Sequence, residues 1–292
     1  MKKEIIFTIL IASILILGLG CSGKKAQVVQ PETGYSVKMS SNKIIAPGSI
    51  VVNFAIKNIF LKEMRNTEIS ILGVPSSYSV SGTNSLGTIM NGQEIPVIFN
   101  IGTEKDVNVK EEINPKIKVC FDYQSDFYFD VAFKKVDMYS QEIATPQSCV
   151  KGPVNITREG LDTIFEKQTN PVLNLNIQNS WIGTIQKFNK ISLDIPSSDY
   201  IEGGALSYSL CKNETSTKGV SISIPDQSDN CGILNNAAAI ANGIITSVTL
   251  SVPKELGISS PVTERFTGFA DYRYCYEVPL EKITVCPAGS PC

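Results

Sequence analysis

Three aspartates stand at every fourth position, Asp122, Asp126 and Asp130. Paired carboxylates are the minimum equipment for glycosidic acid–base chemistry. Among them lie Phe127, Tyr128, Phe129 and Phe133, which could make an aromatic platform for a sugar. A second cluster, Asp226-Gln-Ser-Asp229-Asn230, could offer oxygens to calcium, which takes about 6–8 of them. Trp181, the single tryptophan, falls in an expected loop and would anchor a ligand if exposed, or else fill a sandwich core. The other clusters also have plainer structural readings. Strand alternation puts Phe127, Phe129 and Phe133 on one side, where they suit a core. A turn expected at Gln124–Asp126 makes the three aspartates turn formers and edge charges. Asp226–Asn230 reads as an Asp/Ser/Asn turn.

The 292 residues contain no histidine. That removes Ser-His-Asp and Cys-His nucleophiles, His-ligated zinc and most general-base schemes at neutral pH. Carboxylate-only hydrolysis is the one enzyme class left, and the expectation is a protein that is not an enzyme and carries no cofactor or metal. Lys and Arg number 26 against 28 Asp and Glu, a net charge of −2, which gives no basic patch for nucleic acid.

These residues must be positioned by strands. Val51-Val-Asn-Phe-Ala-Ile-Lys-Asn58 returns as Val172-Leu-Asn-Leu-Asn-Ile-Gln-Asn179, displaced by 121 residues. Both alternate apolar and polar side chains, as a half-buried strand does. Each leads to a second strand ending in proline, Ile69–Pro75 and Ile191–Pro196. Further matches join Met90–Ile101 to Ala241–Val252, displaced by 151, and Pro115–Tyr123 to Ala270–Val278, displaced by 155. The growing offset places an insertion near 197–240, and grafted loops are where function tends to sit. The expected fold is all-β, with two tandem sandwich domains at 34–140 and 154–287. A join at 141–153 links them and a tail at 288–292 follows. Two hairpins are expected to close the domains, one at Gln124–Asp126 and one at Pro279–Lys282.

Residues 1–20 combine Met1-Lys-Lys with an apolar run from Ile5 to Gly20, the form of a signal peptide or signal anchor. Cys21 after small residues resembles a lipobox cysteine, although the expected leucine, Leu17, stands one place early. Lipidation at Cys21, simple cleavage and an uncleaved anchor all export the chain, and 21–33 reads as a tether.

Eight cysteines in an exported chain imply disulfides. With the final hairpin centred between Leu280 and Glu281, Cys275 faces Cys286 across it and is expected to bond to it. Cys120 then looks to Cys149, and Cys211 with Cys231 would bridge the base of the insertion. Cys292 is left over, with Cys286 or another chain as alternatives. Sequons at Asn155 and Asn213 permit glycosylation where the host performs it.

Tyr274-Cys-Tyr-Glu277 with Val285-Cys286, and Val119-Cys-Phe-Asp122 in the first domain, resemble the repeated immunoglobulin-like domains of archaeal and bacterial surface proteins. The resemblance implies a sandwich fold and an exterior location, and transfers no functional residue. The functional expectation is a membrane-tethered extracellular protein of binding or structural type, anchored at the outer face of the membrane, with a surface protein or glycan as partner. The alternative is a spacer or accessory subunit of a pilus, surface layer or export machine.

Overall fold

The computed structural model describes residues 34–150, 152–208, 214–225 and 244–292. The expectations at Cys21, Cys211, Asn213, Asp226, Asp229 and Cys231 lie outside the described residues.

The described chain is almost entirely β. Its first half runs through β1 (Tyr35–Met39), β2 (Lys43–Ile45), β3 (Gly48–Lys57), β4 (Met64–Leu72) and β5 (Ser79–Gly82). It continues with β6 (Ser85–Ile89), β7 (Glu94–Thr103), β8 (Glu111–Ile113) and β9 (Lys116–Lys134). The join contains β10 (Gln147–Cys149). The second half has β11 (Val154–Glu159), β12 (Thr163–Phe165), β13 (Val172–Asn179), β14 (Thr184–Asp194) and β15 (Gly203–Tyr208). Then come β16 (Glu214–Thr217), β17 (Ser221–Pro225), β18 (Ile244–Ser251), β19 (Val262–Pro279) and β20 (Ile283–Cys286). The repeated octapeptides are β3 and β13, and the two halves form two immunoglobulin-like sandwiches in tandem.

The sandwiches share a sheet. Order β1-β3-β7-β5 makes the private sheet of the first half and β11-β13-β18-β15-β16 that of the second. One eight-stranded sheet, in order β17-β14-β19-β9-β4-β6 with β10 and β12 also on β9, serves both halves. At its centre β9 and β19 pair antiparallel from Val262 opposite Phe133 to Pro279 opposite Lys116.

The turn expected at Gln124–Asp126 does not exist, because β9 runs straight through it. Burial alternates without a break from Ile117 to Phe129, so no side chain has to change face there. The far end of β9 therefore crosses into the second sandwich, where Phe133 lies opposite Ile164 of β12 and Phe129 stacks on Phe266 at 5.1 Å. The exchange is reciprocal. Tyr276 of β19 packs at 6.2 Å from Tyr35, and β20 leaves the ribbon to lie between β2 and β8, with Val285 beside Ile44. In both halves a short early strand, β2 or β12, is paired in parallel by a strand that the other half supplies.

This exchange corrects the expected disulfides. Since β20 does not fold back on β19, Cys286 is not opposite Cys275 and bonds instead to Cys292. Cys120 and Cys275 stand directly opposite each other on β9 and β19, with Cα atoms 4.1 Å apart, and are bonded. Cys149 is not the partner of Cys120. Its strand lies beside Phe127, seven positions along β9, about 23 Å at the strand rise. The Cys149 thiol points toward the carbonyls of Val150 and Val154.

Pairing also revises the offset of 155. Ile69 lies opposite Val119, and its counterpart Ile191 lies opposite Ala270, 151 positions later. Under that offset Asp122 and Arg273, which face each other, are each other's counterparts, so the pseudo-two-fold axis passes through them. The bonded cysteines are neighbours of the axis and not repeat images of one another.

The insertion supplies both layers. Its strands β15 and β16 extend the private sheet of the second half, and β17 edges the shared sheet beside β14.

Candidate functional site

The ends of the repeated octapeptides have a structural task. Asn58 Oδ1 accepts the amide of Phe60 at 2.9 Å, and its Nδ2 donates to Lys62 O at 2.8 Å. Asn179 does the same with Trp181 and Gly183, at 3.1 and 2.5 Å. A tyrosine hydroxyl on the central ribbon closes each loop: Tyr123 accepts the Lys62 amide and Tyr274 accepts the Gly183 amide. Gly183 has no substitute there, since a Cβ would lie 2.2 Å from the Cys275 carbonyl.

Phe60 and Trp181, two residues past the two asparagines, meet edge to face at 4.9 Å. Trp181 also contacts Tyr276 at 4.8 Å, and its Nε1 is buried without a hydrogen-bond partner. Trp181 is thus packed where the two halves meet and is not an exposed binding anchor. The loop holds it inward because Asn179 fixes the turn.

The aromatic cluster around the ribbon contains four deeply placed phenols. Burial pushes Tyr123 up to about 12 and Tyr272 well above the ordinary value near 10, and it raises Tyr274 and Tyr276 as well. The folded protein therefore keeps protons that the unfolded chain loses. The stability these phenols contribute is complete below about pH 10 and is lost as pH rises through the folded values, at about 1.4 kcal/mol per unit for each group. Cooperative alkaline unfolding between about pH 10 and 12 is the expected result, followed by Trp181 emission. Phenolate absorbance should show late ionisation of roughly five of the ten tyrosines, because burial and a hydrogen bond to Glu111 also push Tyr78 up to about 12. All ten titrating together near pH 10 in a folded protein would contradict these burial assignments.

The outer face of the shared sheet carries the polar side chains. Asp122, Asp126 and Asp130 lie there on one straight strand, about 13 Å between successive members, too far apart to act as paired carboxylates. Each has a cation instead: Arg273 at 3.2 Å for Asp122, Lys62 for Asp126, and the Arg265 fork at 2.8 and 3.0 Å for Asp130. They are ion-pair partners at the sheet centre and not turn formers.

On β9 and β19 two aromatic side chains break the rule that aromatics face inward. Phe127, Phe129 and Phe133 are buried, whereas Tyr128 lies half-buried on the outer face. Phe269 on β19 does likewise between the buried Phe266 and Tyr272. Tyr128 stands opposite Thr267 and Phe269 opposite Asp126, so the two residues are diagonal neighbours with backbone positions about 7–8 Å apart. Both line a cavity of about 720 Å³, together with Leu61, Asp126, Asp194 and Ser148. The Arg265 guanidinium lies 4.3 Å from the centre of the Tyr128 ring and Lys190 Nζ 5.5 Å from that of Phe269. Asp194 accepts hydrogen bonds from Thr267, at 2.9 Å, and from Ser221. Gly268 leaves room beneath: a Cβ there would lie 2.5 Å from the Phe127 ring.

Sequence reasoning named Tyr128 and Asp126 but missed Phe269 and Asp194. A signal for Phe269 existed in the tyrosine face of β19, whose parity extended backward puts Phe269 outside. Asn155 is half-buried on β11, which forms one edge of its sheet. Among the described residues no group of three His, Cys, Asp or Glu side chains could hold a metal ion, and no helix is long and apolar enough to cross a membrane.

No protein-family model and no curated protein matches this chain. Among solved structures it is similar to the secreted serine protease VesC from Vibrio cholerae, at 10% identity and TM-score 0.23, covering 82% of this chain and 51% of the protease. The chain thus spans about half the length of that protein. It is also similar to the Escherichia coli chaperone DraB, at 11% identity and TM-score 0.20, covering 66% of this chain and 86% of DraB. The Enterococcus faecalis MSCRAMM ACE aligns at 6% identity and TM-score 0.21, covering 86% of this chain and 94% of that one. Likeness at these TM-scores carries no functional argument, and the fold assignment rests on the strand pairing itself.

Proposed function

We propose that this is an exported, membrane-tethered surface protein of binding type, whose two exchanged sandwiches form one body that presents the cavity on the outer face of their shared sheet. Export is supported by the signal-like segment at 1–20 and by two disulfides among the described residues, Cys120–Cys275 and Cys286–Cys292. The observation that carries the binding reading is the cavity with Tyr128 and Phe269 turned outward on β9 and β19, two strands whose other large aromatics are buried. Tethering runs through the N-terminal segment, by a lipid on Cys21 or by the uncleaved apolar run. Binding without catalysis fits the engagement of Asp122, Asp126 and Asp130 by cations and of Asp194 by hydroxyls.

The test uses the full chain in its own host. Protease added to intact cells should remove it from the membrane fraction, and purified protein should adhere to the cell envelope. A double variant, Tyr128→Ala with Phe269→Ala, should lose that adhesion while keeping the thermal midpoint. Recovery in the cytoplasm would overturn export, and full adhesion by the double variant would overturn the binding site.

A further inference from the structure

We infer that the cavity on the outer face of the shared sheet is a site for an uncharged oligosaccharide. This rests on the binding reading above and names its ligand class. Three observations lead to it. The first is the pair of rings: Tyr128 and Phe269 line the cavity while Arg265 and Lys190, the cations held over them, do not, so each ring keeps surface toward the cavity. Two aromatic side chains at diagonal positions across the ribbon, whose backbones stand about 7–8 Å apart, suit the apolar C–H faces of adjoining sugar rings.

The second is charge. The carboxylates around the site are Asp126, Asp130 and Asp194, and the cations are Lys62, Arg265 and Lys190. Asp126 is paired with Lys62 and Asp130 with Arg265, and Lys190 balances Asp194 in count. With no net charge at the rim, neither an anionic nor a cationic ligand is attracted over a neutral one.

The third is hydrogen-bonding capacity. Asp126 and Asp194 bring carboxylate oxygens into the lining, and Ser148 and Thr267 bring hydroxyls. Carboxylates beside aromatic rings accept well from vicinal hydroxyls, because charge-assisted bonds are the stronger ones. The floor is rigid, since Asp126 to Tyr128 and Thr267 to Phe269 lie within the unbroken pairing of β9 with β19, and β10 and β14 wall it on either side. A preformed site of this size loses little freedom when a ligand settles in it.

The experiment probes the full chain against an array of neutral hexose and N-acetylhexosamine oligosaccharides, with uronate-containing and sulfated ones beside them. Binders are then titrated calorimetrically at low and high salt. At least one neutral oligosaccharide should bind with an affinity that salt leaves unchanged. Tyr128→Ala and Phe269→Ala should each weaken it tenfold or more, and Phe269→Tyr should retain it. Trp181 emission and the thermal midpoint identify any variant that is misfolded, and Asp194→Asn is then the second probe, expected to weaken binding at least fivefold. Binding confined to charged glycans, or neutral binding indifferent to all these variants, would overturn the inference. If no glycan binds but envelope adhesion still depends on Tyr128 and Phe269, the cavity holds a protein, and the ligand class is wrong while the binding reading stands. If adhesion is indifferent to both rings, the binding reading itself fails.

Discussion

Replacing Cys120 and Cys275 together by serine is expected to lower the unfolding free energy by about 5 kcal/mol in the chain-entropy description. The bond joins positions 155 residues apart, so it removes far more freedom from the unfolded chain than the Cys286–Cys292 bond, which spans 6. Serine at Cys286 and Cys292 should cost about 2 kcal/mol by the same relation. Urea titrations of both double variants, read by Trp181 emission, measure the difference directly. Equal losses would mean that the pairing of β9 with β19 holds the unfolded ensemble's ends together without the bond. A short hairpin bond at Cys275–Cys286 would have stabilised by roughly 3 kcal/mol at most, so the correction also moves the larger stake to the middle of the molecule.

A chain that ends at residue 140 is expected to yield no stable folded monomer. It would keep β1 to β9 but lose Tyr276, which packs on Tyr35 and Phe121, and β20, which pairs with β2 along Ile44 and Val285. It would also expose Phe127, Phe129, Val131 and Phe133, all buried in the intact protein against the second sandwich. Five or more large side chains left without cover, at about 2 kcal/mol each, amount to the stability of an ordinary domain. Aggregation is one expected form of the outcome. The other is a dimer in which two copies of β9 pair antiparallel, as β9 and β19 do in the full protein. Light scattering after gel filtration, with circular dichroism, separates these from a monomer. A monomer with a sharp cooperative transition would show that each half folds by itself.

Tyrosines and cysteines illustrate how much could be read beforehand. The alternation of Tyr272, Tyr274 and Tyr276 identified a core face, and these residues are buried. The duplication at Val51 and Val172 located equivalent strands, and both lie at the middle of their private sheets, flanked on each side. The turn at Gln124–Asp126 failed for a definable reason. Gln, Ser and Asp together look like a turn, but the inward parity of Tyr123, Ser125 and Phe127 continues through them, and Ser125 is satisfied inside by the Tyr272 hydroxyl at 2.8 Å. A polar residue in a core strand is tolerated when it finds such a partner. The final hairpin failed similarly, because a short strand after a turn can pair with its neighbour or with any open edge. Here the open edges of β2 and β8 took it.

The cavity was half visible. Tyr128 stood out of phase with its phenylalanine neighbours, and Phe269 with its tyrosines, so each was marked as outward by its own strand. Nothing local says that the two strands are neighbours, or in which register. Only the pairing of Tyr128 with Thr267 and of Phe269 with Asp126 sets the rings side by side.

By itself, then, the sequence determined the all-β class, the duplication, the faces that its strands bury and the signature of export. Those follow from periodicity and composition, which are properties of consecutive residues. Tertiary structure alone decided which strands pair, that the halves exchange their last strands, which cysteines bond and what lines the cavity. The physical reason is that strand alternation specifies a face but not a partner, since ladder hydrogen bonds run between backbones that are alike for every residue. Partners are chosen by the joint burial of side chains far apart in the chain, as Tyr35 with Tyr276 and Phe129 with Phe266 show.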